Sequence, residues 1–122
     1  MSVFDEYEKF VDKHCKKGGD MNLSVHDRHL LHMVLGLAGE VGELVDALKK
    51  SIIYSKMLDI NNVIEELGDI EFYLAGLRTG LRKAGHDVPP VEQIVARNIS
   101  KLVCRYPEGY TDAAAQARAD KA

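Results

Sequence analysis

Apolar residues along the chain recur at intervals of three and four, the pattern of helices that turn one face to a core. Phe4, Tyr7, Phe10 and Val11 define a short amphipathic helix from Ser2 to about His14, ended by Lys16-Lys17-Gly18-Gly19-Asp20. Leu30, Val34, Leu37, Val41, Leu44, Val45 and Leu48 mark a long second helix reaching about Ser51, with Ser24 as its N-cap. After a connector around Tyr54 to Asp59, Val63, Ile64, Leu67, Ile70, Leu74, Leu77 and Leu81 predict a third helix from Ile60 to Lys83, stopped by Gly85. Pro89 and Pro90 open a fourth, Val91 to about Arg105, and Pro107 with Gly109 ends it. No segment alternates with period two.

The expected architecture is therefore all-α, a single four-helix, bundle-like domain over residues 1–110. The tail over 111–122, TDAAAQARADKA, offers no large apolar side chain as an anchor and is expected to be flexible or frayed helix.

Composition narrows the possible roles. A chain of 122 residues with 46% hydrophobic content has only a small core, so oligomerisation is the natural supplement to its stability. Nineteen acidic against sixteen basic residues give a formal charge of −3, which leaves no excess positive charge for a nucleic-acid polymer. Cys15 and Cys104 are too isolated for a disulfide framework or a cysteine-rich zinc site. The N-terminal segment has no basic and apolar leader pattern, and no apolar run has the length of a membrane span, so a cytoplasmic protein is expected.

The chemistry concentrates on two helices. Glu40-Val41-Gly42-Glu43 and Glu66-Leu67-Gly68-Asp69 each set two carboxylates three residues apart, and so on one helix face. A single such pair is ordinary on a solvated helix. Two pairs at nearly the same angle to the apolar stripes of consecutive long helices are harder to assign to solvation alone. If the helices pack antiparallel, four carboxylates converge, and their mutual repulsion calls for cations. Oxygen-only ligation of this kind suits Mg²⁺ or Mn²⁺ better than zinc. Gly36, Gly39 and Gly42 strip side chains from one long helix at roughly 1 kcal/mol each, a cost that points to close approach by a ligand or a neighbouring helix. Gly76 and Gly80 repeat the feature on the third helix, where Tyr73 follows Asp69 by one turn.

On the fourth helix Asn98, Lys101 and Arg105 form one stripe. Its two cations are able to hold phosphate, although basic residues in a last turn commonly serve the helix dipole alone. Lys49 and Lys50 are read the same way. His26, His29 and His32 lack the H-E-x-x-H arrangement of a zinc site and are read as solvated or substrate-side groups. The Glu-x-x-His pairs of a di-iron bundle are also missing, because Glu43 and Asp69 stand where histidine would be needed. Glu71, among apolar neighbours, is expected to pair across a subunit interface.

The stretches Leu37-Ala38-Gly39-Glu40-Val41-Gly42-Glu43-Leu44, Glu65-Glu66-Leu67-Gly68-Asp69-Ile70, Asn98-Ile99-Ser100-Lys101-Leu102 and Arg105-Tyr106-Pro107-Glu108-Gly109-Tyr110 together closely resemble the MazG-like nucleotide pyrophosphohydrolases, over roughly Leu31 to Tyr110. The joint pattern E-x-x-E, E-x-x-D and K-x-x-x-R-Y-P is far more specific than any part of it. The resemblance implies cleavage of a nucleoside triphosphate or deoxynucleoside triphosphate to the monophosphate and pyrophosphate, by water attack at the α-phosphorus with Mg²⁺ present. It further implies Glu40, Glu43, Glu66 and Asp69 as metal ligands and catalytic carboxylates, Asn98, Lys101 and Arg105 as substrate contacts, and a homodimer or a tetramer of two dimers. A purine deoxynucleotide such as dGTP or dATP is the expected substrate. The related phosphoribosyl-ATP pyrophosphohydrolases share the carboxylate pattern, and a non-catalytic helical interaction module is the alternative from another class.

Overall fold

Two of the helix starts are fixed by reciprocal caps. The hydroxyl oxygens of Ser2 and Ser24 accept hydrogen bonds from the backbone N–H of Asp5 and Asp27, and those aspartates accept in return from the serine N–H groups. Donors that a helix would otherwise leave orphaned are thereby satisfied. Hydrogen bonds to the carboxylates, from the serine backbone first and the serine side chain second, hold both aspartate carboxyls below their usual range.

The computed structural model describes residues 1–121. Its helices are α1 Val3–His14, α2 Val25–Ile52, α3 Ile60–Lys83, α4 Val91–Arg105 and α5 Asp112–Ala117, with 3-10 turns at Gly18–Asp20 and Ala119–Lys121. No strand occurs among the described residues, and the fold is all-α. Helix α3 begins behind Asp59, whose carboxylate accepts from the N–H of Asn62. It ends at Gly85, which takes the left-handed φ of 96° that side-chain-bearing residues avoid. No helix among the described residues is long and apolar enough to cross a membrane.

The chain divides into two compact units, the first Met1–Ala84 and the second from Gly85 onward. In the first, α2 packs on α3. The contacts run in opposite senses along the two helices: His29 meets Gly80, Met33 meets Gly76, Gly36 meets Tyr73, and Glu40 meets Glu66 and Asp69. That order makes the pair antiparallel. Three of these contacts depend on glycine. A Cβ on Gly36 would overlap the Tyr73 ring, one on Gly76 the Met33 Sδ, and one on Gly80 the His29 ring. The His29 Nε2 also lies 3.1 Å from the Gly76 carbonyl oxygen, which joins the helices by a polar contact beside the packing.

Little apolar surface is buried within one chain. Met33 and Ala47 are the buried apolar side chains among the described residues, while Leu30, Leu37, Leu44, Leu74 and Leu77 are half-buried. Val34, Val41 and Val45, members of the α2 stripe, remain exposed, as do Ile64, Leu67 and Phe72 of α3 and every residue of α1. Glu71 is exposed as well, so within a single chain it escapes the cost of burial that its apolar neighbours suggest.

In the second unit α4 packs against α5 and the Ala119–Lys121 turn. The tail expected to fray thus carries a short helix, whose first turn is capped by Thr111 accepting from the N–H of Ala114 at 3.0 Å. Its anchor is electrostatic. Asp120 accepts from Arg105 Nε at 2.6 Å and from Nη2 at 2.9 Å, a contact invisible to any reading of apolar periodicity.

Candidate functional site

Spacing of three on a helix places Glu40 one turn from Glu43 and Glu66 one turn from Asp69. The antiparallel register set by the glycine contacts then decides which of them meet. One carboxylate oxygen from each of Glu40, Glu66 and Asp69 lies within 4.8 Å of the other two. Glu43 is exposed and outside this cluster. The four acids are therefore not equivalent: Glu66 is only 9% exposed, Glu40 is half-buried, and Asp69 and Glu43 face solvent.

Electrostatics follow from that placement. The Glu66 carboxyl is pushed up to about 7, first by its hydrogen bond with Glu40, then by burial, and then by the negative charges of Glu40, Asp69 and Glu43. Its Oε2 is buried and has no hydrogen-bond partner. A buried carboxylate oxygen without a donor is costly, and either a proton or a cation relieves it. The donor set fits a hard divalent ion: three carboxylates, no nitrogen or sulfur, with Asp69 on the open side where water and phosphate oxygens are able to complete the ligand shell. Among the described residues no histidine joins the group.

The facing surfaces of α2 and α3 differ along their length in how tightly they are filled. Tyr73 lies in the space that a Gly36 side chain would take, and its ring centre is 6.4 Å from that of His32 at an interplanar angle of 64°. His29 is engaged with the Gly76 carbonyl. Around Gly39, Gly42 and Gly68, by contrast, a Cβ would meet open space. The expectation of close approach thus holds inside the chain for Gly36, Gly76 and Gly80, and finds nothing inside the chain at Gly39 and Gly42. Lys49 stands 5.8 Å from the centre of the Tyr54 ring, and Lys50 pairs with Asp46 at 3.0 Å on the surface.

The second unit carries the three polar residues of the fourth helix. Asn98 and Lys101 are exposed on α4. Arg105, at its last turn, is held by Asp120 in a side-on bidentate pair and stands 5.9 Å from the centre of the Tyr106 ring. The Arg105 side chain is 18% exposed and that of Asp120 only 3%. The pair, with a further hydrogen bond to Tyr106, raises the guanidinium above its usual range, and Arg105 holds the Asp120 carboxyl below its own. Asp120 is the residue that sequence reasoning missed. It lies fifteen positions from its partner, in a tail whose composition favours disorder, and no local spacing rule singles it out.

Neither the comparison with curated proteins nor that with solved structures gives a match. The family model described as the MazG nucleotide pyrophosphohydrolase domain matches residues 28–110, a span that takes in both carboxylate pairs and the α4 stripe. With more than half its length under that one model, the chain belongs to the MazG nucleotide pyrophosphohydrolase family.

Proposed function

We propose that the protein is a Mg²⁺-dependent cytoplasmic enzyme, with Mn²⁺ able to substitute, that hydrolyses a nucleoside triphosphate to the monophosphate and pyrophosphate, with a purine deoxynucleotide such as dGTP or dATP as the preferred substrate. The observation that carries this reading is the group formed by Glu40, Glu66 and Asp69, in which a nearly buried carboxylate keeps one oxygen unpartnered beside two further acids. A divalent ion bound there supplies charge neutralisation at the substrate's phosphates and acidifies water in its shell.

The chain's own contributions are positional. Glu40 and Glu66 fix the cluster on two helices locked by glycine contacts, Asp69 extends it toward solvent, and Glu43 adds a fourth carboxylate one turn from Glu40. Asn98, Lys101 and Arg105 bind the substrate, the two cations at phosphate oxygens. Water adds to the α-phosphorus and gives up a proton, the bond from that phosphorus to the α,β-bridging oxygen breaks, and pyrophosphate leaves with the bridging oxygen. Chemistry of this kind needs charge neutralisation and alignment, and no serine or cysteine nucleophile. The exposed stripes of α1, α2 and α3 support assembly into a dimer, or a tetramer of two dimers, in which a second copy covers them.

The test is product analysis with a panel of ribo- and deoxynucleoside triphosphates in Mg²⁺, Mn²⁺ or EDTA, beside Glu40→Gln and Asp69→Asn. Metal-dependent formation of monophosphate and pyrophosphate, lost in both variants, is the expected result. Stepwise release of orthophosphate, or no turnover of any nucleotide by the folded protein, overturns the reading.

A further inference from the structure

The Arg105–Asp120 pair is built for orientation. A guanidinium offers five N–H donors in a rigid plane. Asp120 takes the side-on edge, Nε at 2.6 Å and Nη2 at 2.9 Å, so Nη1 and the outer N–H of Nη2, the end-on edge, are the donors that remain for the Tyr106 side chain and for any further acceptor. The acid is almost entirely covered while the arginine keeps part of its surface open, 3% against 18%. An arginine side chain loses substantial rotamer freedom when it is fixed on a ligand. Here that ordering is done by the tail before any ligand arrives, and preorganisation of this sort strengthens binding without adding a contact.

We propose that Asp120, carried by the C-terminal tail, is a positioning residue that holds Arg105 with its end-on edge presented to a pair of oxygens of the substrate's polyphosphate. The inference rests on the reading of Arg105 as a phosphate contact and adds the residue that makes the contact directional. It also gives α5 and the turn after it a role in the enzyme, since together they deliver Asp120 to the end of α4.

The experiment compares the full chain with Asp120→Asn, Asp120→Glu, Arg105→Ala and the Arg105→Ala/Asp120→Asn double variant. Two quantities are read: calorimetric binding of inorganic pyrophosphate in Mg²⁺, and KM and kcat for dGTP. Asp120→Asn is expected to weaken pyrophosphate binding and raise KM about tenfold while kcat changes much less, in the range usual for losing a partner that orients a ligand-binding group. Asp120→Glu, which keeps the carboxylate, recovers part of the loss. In the Arg105→Ala background Asp120→Asn has no further effect, because its action runs through Arg105. A purely structural role for the tail would instead cost as much in both backgrounds, and that result overturns the proposal, as does an unchanged or lowered KM in Asp120→Asn. If Arg105→Ala itself leaves pyrophosphate binding and KM unaltered, the phosphate role of Arg105 fails, and the role of Asp120 with it.

Discussion

Glu40 on α2 and Glu66 on α3 bring carboxylate oxygens to within 4.8 Å of each other, with an oxygen of Asp69 in the same range. Hydrogen bonding with Glu40, burial and the neighbouring negative charges push the Glu66 carboxyl up to about 7 from an ordinary value of 4.5. This raised value gives the metal-free protein and the metal-bound protein opposite responses to pH.

In the metal-free protein, a carboxyl raised on folding contributes stability that is fully present below the unfolded value of 4.5 and lost as the pH passes through about 7. Melting in EDTA is therefore expected to be lower at pH 8 than at pH 5 on account of this group. Binding a divalent ion demands the ionised form, so apparent Mg²⁺ or Mn²⁺ affinity falls by about tenfold per pH unit once the pH drops below the Glu66 value. Thermal melting across pH 5–8 with and without Mg²⁺ checks both signs. Glu66→Gln should flatten the EDTA profile and abolish the metal response.

The unequal burial of the four acids sets an order among them. Glu40, Glu66 and Asp69 bring oxygens within 4.8 Å of one another, whereas Glu43 stays outside that group and exposed. Single replacement of any of the three by its amide is expected to reduce kcat by at least about a hundredfold, the scale associated with losing one major charge-stabilising group. Glu43→Gln should instead raise the Mn²⁺ concentration for half-maximal activity by about tenfold, with activity recovered at high metal. Equal loss in all four variants, unrelieved by metal, would show that Glu43 moves into the cluster as a full ligand.

Much of this fold is legible in the sequence. The bounds Ile60–Lys83 and Val91–Arg105 coincide with the predicted helices because their signals are local: Asp59 and Pro90 at the starts, Gly85 and Pro107 after the ends. The carboxylate pairs are legible for the same reason, since i and i+3 geometry is a property of one helix. Their inequality is not, because the depth of Glu66 depends on which turn of α2 lies opposite, and that register is set by Tyr73, Met33 and His29 entering the spaces at three glycines. Asp120 was beyond reach on the same grounds. Its pairing with Arg105 is a tertiary contact made by a tail without an apolar pattern.

The glycines divide into two groups with opposite expected responses to alanine. Gly36→Ala must displace the Tyr73 ring, and overpacking of this kind costs about 1–3 kcal/mol. Gly39→Ala adds a methyl into open space and removes a poor helix former, a gain of up to about 1 kcal/mol. Chemical denaturation of the two variants should move in opposite directions. A Gly39→Ala protein that gains stability but loses nucleotide turnover would place substrate at that open turn of α2, beside Glu40.

Assembly is the remaining consequence of a core this thin. Val41 is 44% exposed, Val45 58% and Phe72 66%, values that leave a broad apolar surface on the helices bearing the carboxylates. Uncovered surface of this kind is paid for by association, since each buried apolar side chain contributes roughly 1.5–3 kcal/mol. Sedimentation of the wild-type chain is thus expected to show a species of at least twice 13.6 kDa, with melting that rises with protein concentration. Val45→Asp, on the exposed part of α2 and away from the carboxylate cluster, should weaken association by at least about tenfold, since an unpaired charge in an apolar interface costs more than 1.4 kcal/mol. A wild-type chain that sediments as a single 13.6 kDa species at every concentration tested, with melting independent of concentration, would mean that these stripes serve no second copy.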